Sequence, residues 1–429
     1  MGVVLSKRFS RGAGAVVTVA LVAVSVLFGP ASSAVADPGE DFYRPPNPVA
    51  GARGGDVVRS EPFAADARAR LAALLPIAEA RKVMYTSADA HRAPVAVTGT
   101  VLVPAVAWPG PGPRPLVSFA VGAHGAGANC APSKLLSSGV LTDGSSAPMA
   151  EYALLDLAAL LGRGITVVIT DYQGLGGPGG HPYLQPRPAA YDVLDAARAA
   201  IRLGLADPGA PVGIWGYSQG GSAAAAAAEQ ARDYAPELDL RGTVAGAPTG
   251  DPVAALRFNE GKILVGVNGY FVNGLIASYP ELAPRITALL NQEGLEFVRR
   301  TAQQCVIGSA VQEGFRTTSG YTVGGTTIAD ALQSDPRIRS VLDDLVIGGT
   351  PPAAPVLLLS SPNDDVVPND SVRALGARWR AGGADVTETD IDTPVLPPAL
   401  GASASGHNLA AVLAGAPSVD WLTARLTHR

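Results

Sequence analysis

The sequence predicts an α/β fold, with a mostly parallel central sheet flanked by helices and interrupted by a helical insertion. Three observations predict it. Short apolar, β-branched runs alternate with helical patterns on both sides of residues 251–345. One such unit, Pro211 to Ser222 (PVGIWGYSQGGS), reads as a buried strand, a sharp turn and the start of a helix. From about 251 to 345 the alternation stops, leaving helical patterns broken by Gly and Pro, and it resumes at Ala354 to Leu359.

The chain has 429 residues, which suits a large α/β enzyme with an insertion. Hydrophobic residues make up 47% and charged residues 16%, so a sizeable core is available and global disorder is excluded. The first 36 residues read as a secretory signal: Lys7, Arg8 and Arg11 form a basic start, Ala13 to Phe28 an apolar stretch, and Ala34-Val35-Ala36 a cleavage site before Asp37. An uncleaved anchor is the alternative, against which the apolar stretch is short for a spanning helix. No other stretch is long and apolar enough to span a bilayer. Removal of the signal takes three of 32 basic residues and none of 37 acidic ones, leaving 29 against 37, a net charge of −8. That balance argues against nucleic acid and anionic membranes as partners. Cys130 and Cys305 are the two cysteines. In an exported protein an even pair suggests one disulfide, with two buried free thiols as the alternative. There is no C-x-x-C and the five histidines are scattered, so no metal-ligand cluster is expected.

In chain order, Asp37 to Glu61 reads as an extended arm and Ala64 to Arg81 as an amphipathic helix. Lys82 to Ser87 and Ala93 to Pro104 read as strands joined by a turn, and Pro115 to Val121 as a buried strand. Met149 to Leu161 reads as a helix and Ile165 to Thr170 as a buried strand ending in Asp171-Tyr172-Gln173-Gly174. Tyr191 to Leu203 is a helix whose Asp195 and Arg198 form an ion pair. Arg241 to Ala247 is a strand. Within the insertion only Tyr321 to Thr327 looks strand-like, and Leu264 to Ile276 is apolar enough to line an acyl pocket. Val386 to Ile391 is a strand and Leu409 to Leu426 the last helix.

The chemistry concentrates in four places. Gly216-Tyr217-Ser218-Gln219-Gly220 is a G-x-S-x-G turn between strand and helix, a setting that exposes the serine hydroxyl at a helix N-terminus. Gly122-Ala123-His124-Gly125-Ala126-Gly127 follows an early strand, where backbone N–H groups of such folds hold an oxyanion. His124 and Gly125 are the candidates there, together with the N–H of Gln219; the His124 side chain is read as a loop residue rather than a base. Asp364 lies in the loop after the strand that follows the insertion. Asp365 is its rival, and the spacing of Asp364 to Val367-Pro368 favours the former. Gly406-His407-Asn408 opens the last helix, and His181 and His428 are poorer candidates for a base. Serine, aspartate and histidine in that order match an α/β-hydrolase fold. A histidine of ordinary pKa near 6.5 can take the serine proton, and a carboxylate can orient the imidazole.

Several motifs together resemble the secretory lipases of the lipase A type, over nearly the whole mature chain. They are Asp41-Phe42-Tyr43, Cys130-Ala131-Pro132-Ser133, Asp171-Tyr172-Gln173-Gly174-Leu175-Gly176, Leu194 to Ala200 and Gly216 to Gly221. The resemblance implies lipase or esterase activity without a cofactor, a helical cap over an acyl tunnel, a disulfide joining Cys130 to Cys305, and a triad of Ser218, Asp364 and His407. Fungal members carry an Asp where His124 aligns, so any side-chain role at that position does not carry over.

The expected organisation is a signal over 1–36, core over 37–250, a mainly helical cap over 251–345 and the rest of the core over 346–429. The expected function is a secreted serine ester hydrolase, acting on small-molecule or lipid esters and touching lipid interfaces transiently. Two readings compete with it: a short-chain carboxylesterase without lipid preference, and a non-catalytic secreted binding protein on a hydrolase scaffold. A cutinase-like polyester hydrolase shares G-Y-S-Q-G but belongs to shorter, more cysteine-rich chains, and a peptidase on this fold is a remote third.

Overall fold

The computed structural model describes residues 38–46, 49, 53–395, 397 and 401–427. The expected signal and its cleavage site lie outside these residues, as does His428. The strands are β1 (Val57–Pro62), β2 (Ile77–Ala88), β3 (Pro94–Pro104), β4 (Leu116–Ala120), β5 (Val140–Thr142), β6 (Pro148–Ala150), β7 (Thr166–Thr170), β8 (Val212–Tyr217), β9 (Leu240–Gly246), β10 (Val356–Ser360) and β11 (Val386–Asp390). β5 and β6 form a separate hairpin; the other nine form one sheet in the order β1-β2-β3-β7-β4-β8-β9-β10-β11. From β7 to β11 every neighbouring pair is parallel, while β1, β2 and β3 add antiparallel pairs at one end. The sheet is thus mostly parallel, as the alternating sequence predicts.

The parallel strands read as apolar runs because both faces are covered. Strand β8 shows how. Its side chains alternate between faces. A Cβ at Gly213 would meet Leu422, and Trp215 Nε1 donates to Ser418 Oγ at 2.9 Å, so this face packs on the last helix, Ser405–Thr427. Gly216 points the other way, into the helix Gln219–Tyr234. The run Ala223 to Ala228 in that helix is almost fully buried, so the small side chains allow it to lie close against the sheet. The edge strand β11 (VTETD) is polar and largely exposed, which blunts pairing with other chains.

Four expectations need correction, the first being the helix expected over Met149 to Leu161, which starts only at Leu154 because Met149 lies in β6. The helix expected over 64–81 ends early: Ala65–Ala72 is helical, and Ile77 onward belongs to β2. Pro76 causes the break, since a proline disfavours helical backbone in the residue before it and supplies no N–H. Ile77 then pairs with Pro104, so the strand is twice the expected length. The extended arm contains β1, which covers β2 with an antiparallel partner. Tyr321 to Thr327 is not a strand: Thr318–Tyr321 is a 3-10 turn, and Thr322 makes only an isolated bridge to Leu290.

Between β9 and β10 the chain is helical over 252–258, 267–278, 283–289, 292–301, 306–313, 328–334 and 336–344. These helices bury an apolar cluster of their own around Tyr270, Phe271, Leu275, Phe297 and Ile328, which Ala126 and Tyr183 join from loops of the sheet.

Candidate active site

Ser218 occupies the turn between β8 and the helix Gln219–Tyr234. Its φ is +63° and ψ −122°, a region L-residues avoid, which costs on the order of 1–3 kcal/mol. Neighbouring contacts hold it there. The Ser218 N–H donates to the Gly246 carbonyl at 2.8 Å, and Ser222 Oγ donates to the Ser218 carbonyl at 3.1 Å. The flanking glycines are sterically required. A Cβ at Gly216 would stand 2.1 Å from the Gly220 carbonyl oxygen, and one at Gly220 would stand 1.9 Å from that of Ala120. The G-x-S-x-G pattern is therefore a packing requirement at this crossing of strand and helix.

Asp364 and His407 come together as a pair. His407 Nδ1 lies 2.8 Å from Asp364 Oδ2, and both side chains are buried. Asp364 Oδ1 accepts the N–H groups of Val366 and Val367, each at 2.8 Å. Burial pushes the Asp364 carboxyl upward, but the His407 imidazole and these two N–H groups outweigh it and hold the pKa below the usual value. The rival Asp365 serves the backbone instead: its Oδ1 accepts the N–H of His407 at 3.1 Å, fixing the first turn of the last helix. The elbow reaches this pair through Tyr217, whose hydroxyl donates to the His407 carbonyl at 3.1 Å, with the two rings 5.0 Å apart.

The glycine-rich loop is pinned to the insertion. Cys130 and Cys305 form a disulfide across 175 residues of sequence. Beside it, the Ala126 N–H donates to the Gln304 carbonyl at 3.0 Å and the Val306 N–H to the His124 carbonyl at 2.9 Å. Gly125 and Cys305 are thereby a non-hydrogen-bonded antiparallel pair, which leaves the Gly125 N–H out of the ladder. Only glycine fits at 125: its φ is +122°, and a Cβ would stand 2.4 Å from the Gln304 carbonyl oxygen.

The His124 side chain is buried and fully engaged. Nδ1 lies 2.9 Å from the Gly122 carbonyl and Nε2 lies 3.1 Å from Glu151 Oε2. Two acceptors favour protons on both nitrogens. Burial opposes the charge, yet Glu151 and the Gly122 carbonyl raise the pKa above its ordinary value. The ring stacks on Tyr152, whose hydroxyl donates to the Ala123 carbonyl at 3.0 Å. This side chain braces the loop.

Asp171 is likewise structural: its carboxylate accepts the Ser133 N–H at 2.8 Å and the Thr98 hydroxyl at 2.6 Å, tying the C-A-P-S segment to β7. Sequence reasoning missed Glu151 and the Tyr217 hydroxyl. No local pattern marks them, because each acts through a partner distant in sequence. Among the described residues no cluster of His, Cys, Asp and Glu is arranged to hold a metal.

Known proteins share this architecture. A family profile described as secretory lipase matches residues 145–429. A probable inactive lipase of Mycobacterium tuberculosis is 33% identical over 355 residues, covering 82% of this chain and 76% of that protein. Lipase A of Arthroderma benhamiae is 29% identical over 409 residues, covering 92% and 81%. The solved structure of Candida antarctica lipase A in its closed state superposes with a TM-score of 0.75 at 19% identity, over 92% of this chain and 89% of that one, which shows the α/β-hydrolase fold. The chain belongs to the secretory lipase family of α/β-hydrolases.

Proposed function

We propose that this protein is a secreted serine ester hydrolase, a carboxylesterase or triacylglycerol lipase, working through Ser218, His407 and Asp364. The observation that carries this reading is the buried His407–Asp364 pair, at 2.8 Å, tied by Tyr217 to the elbow that bears Ser218. Ser218 Oγ attacks the ester carbonyl carbon while its proton passes to His407 Nε2. Asp364 keeps the Nδ1 proton in place and stabilises the imidazolium. The tetrahedral oxyanion is held by the backbone N–H of Gln219, at the start of a helix, and by that of Gly125 or His124. Its collapse expels the alcohol, protonated by His407, and leaves an acyl-enzyme. Water, deprotonated by the same imidazole, releases the acid.

The helices over 252–344 act in this reading as a cap that carries the acyl pocket. Exposed apolar side chains occur near the glycine-rich loop: Tyr152 stacks on His124, and Ile307 and Val311 follow Cys305 in the chain. They give lipid esters a surface to meet. Among the described residues no helix is long and apolar enough to cross a membrane.

The test is hydrolysis of p-nitrophenyl esters from acetyl to palmitoyl by the mature protein beside Ser218→Ala. Activity in the former and its loss over several orders of magnitude in the latter are expected. The chain-length optimum separates lipase from short-chain esterase. A second reading, a binding protein on a hydrolase scaffold, draws on the Mycobacterium tuberculosis relative that is named a probable inactive lipase. Folded wild-type protein as inert as Ser218→Ala on every ester would favour it.

A further inference from the structure

Two tethers bracket the proposed nucleophile. Tyr217 on one side is held by the His407 carbonyl, as described above. On the other side Gln219 is buried, and its Nε2 lies 2.9 Å from His181 Nε2. His181 sits in the loop between β7 and the helix Pro186–Arg202. Its Nδ1 lies 2.9 Å from the Gln173 carbonyl, which can only accept, so Nδ1 carries the proton. Nε2 is then a bare lone pair, and the Gln219 amide donates to it. The ring is therefore neutral and in one tautomer.

Everything behind His181 is fixed. The Gln173 N–H donates to Asp192 Oδ2 at 2.9 Å, and Gln173 Nε2 donates to the Ala88 carbonyl at 2.8 Å. The loop folds back on itself at Gly174, whose φ is +75° and whose Cβ would stand 2.4 Å from the Gly180 carbonyl carbon. The rings of Tyr172 and Tyr183 enclose the imidazole at 5.8 and 6.0 Å. Burial, the largest cause, disfavours a second proton, as does the positive charge that His124 carries when protonated, and the His181 pKa falls to about 4.

We propose that His181 is a positioning residue: through the Gln219 side chain it fixes the Ser218–Gln219 peptide, whose N–H is the oxyanion donor. The need follows from the turn itself. Gly216, Gly220 and Gly221 have no side chains to anchor it, the Ser218 hydroxyl must stay free, and Ser218 is held at a strained φ of +63°. Ser222 Oγ holds the carbonyl of this peptide at 3.1 Å, and the Gln219 side chain adds a hold next to its N–H. Gln173 and Asp192 form the rigid base of the tether.

This inference rests on the ester-hydrolase reading, so its test has two independent readouts. The variants are His181→Phe, which keeps a ring but neither hydrogen bond, and Gln219→Met, which keeps length without the amide and serves if the first fails to fold. Each is expected to lower kcat about 10- to 100-fold with KM within about threefold, the effect of a displaced donor. The double variant should lose no more than the weaker single one. Losses that multiply, or a change confined to KM, overturn the proposal. The second readout is the imidazole nitrogen spectrum of ¹⁵N-labelled wild-type protein between pH 5 and 8. A protonated Nδ1 and a bare Nε2, the latter shifted by Gln219→Met, are expected; a proton on Nε2 overturns the tether. Wild-type protein as inert as Ser218→Ala would refute the ester reading, and the nitrogen spectrum would still decide whether the tether exists.

Discussion

Replacing Asp364 by Asn changes almost no volume and inverts one hydrogen bond. Asp364 Oδ1 accepts the N–H groups of Val366 and Val367 at 2.8 Å, so the Asn oxygen stays on those two donors. The NH2 group then takes the place of Oδ2, 2.8 Å from His407 Nδ1. An NH2 group donates, so Nδ1 has to present its lone pair and the ring proton moves to Nε2. That is the atom that must accept the Ser218 proton. The wrong tautomer costs on the order of 10⁴ in kcat. The fold survives, because both backbone hydrogen bonds are kept; stability changes by about 1–2 kcal/mol at most. Asp365→Asn is the control: it retains an acceptor for the His407 N–H and leaves the ring alone, so kcat stays within about tenfold. The assay is kcat on a p-nitrophenyl ester, with urea unfolding to verify the fold. An Asp364→Asn variant within tenfold of wild type, or a larger loss at 365 than at 364, would remove Asp364 from the triad.

Other outcomes follow from the same contacts. Replacing Cys130 and Cys305 together by Ala frees a loop of 175 residues, which lowers stability by about 5 kcal/mol in the chain-entropy account, read as a fall in the urea midpoint; an unchanged midpoint contradicts it. Acid should destabilise the protein through His181. Its folded pKa is about 4 against about 6.5 unfolded, so the unfolded chain binds the extra proton first. The His181 contribution is complete above pH 6.5 and declines by about 3 kcal/mol as pH falls to 4. In urea titrations across that range His181→Phe should show a flatter acid limb, and an equal slope in both proteins would contradict the assignment. Gly220→Ala places a Cβ 1.9 Å from the Ala120 carbonyl oxygen, so that variant should be recovered with less than about a tenth of wild-type kcat or fail to fold; near-normal kcat in a folded variant would show that the elbow can shift.

The parallel core was legible because its strands are buried on both faces and its helices carry long periodic patterns. The elbow was legible for a steric reason, since Gly216 and Gly220 cannot bear a Cβ there. Asp364 and His407 were proposed from their order along the chain, and a 2.8 Å contact brings these residues, 43 apart in sequence, together. Helix boundaries were less legible: Ala64 to Arg81 has a helical apolar pattern, yet Pro76 and pairing with β3 turn its second half into strand. The supports of the site were hidden for a different reason. His181 meets Gln219 across 38 residues, and His124 meets Glu151 across 27, so neither pair has a local signature. The role of Asp365 also needed the structure, because two adjacent carboxylates divide between the imidazole ring and the backbone of one histidine.

Whether Ser218 is a nucleophile activated by His407 and Asp364 is decided by treating the folded protein with a fluorophosphonate and locating the adduct by peptide mass spectrometry. One phosphonyl group per chain is expected, on Ser218, formed at least about 10³-fold more slowly in His407→Ala. Absence of any adduct on folded wild-type protein, or an adduct on another residue, would contradict the proposed triad.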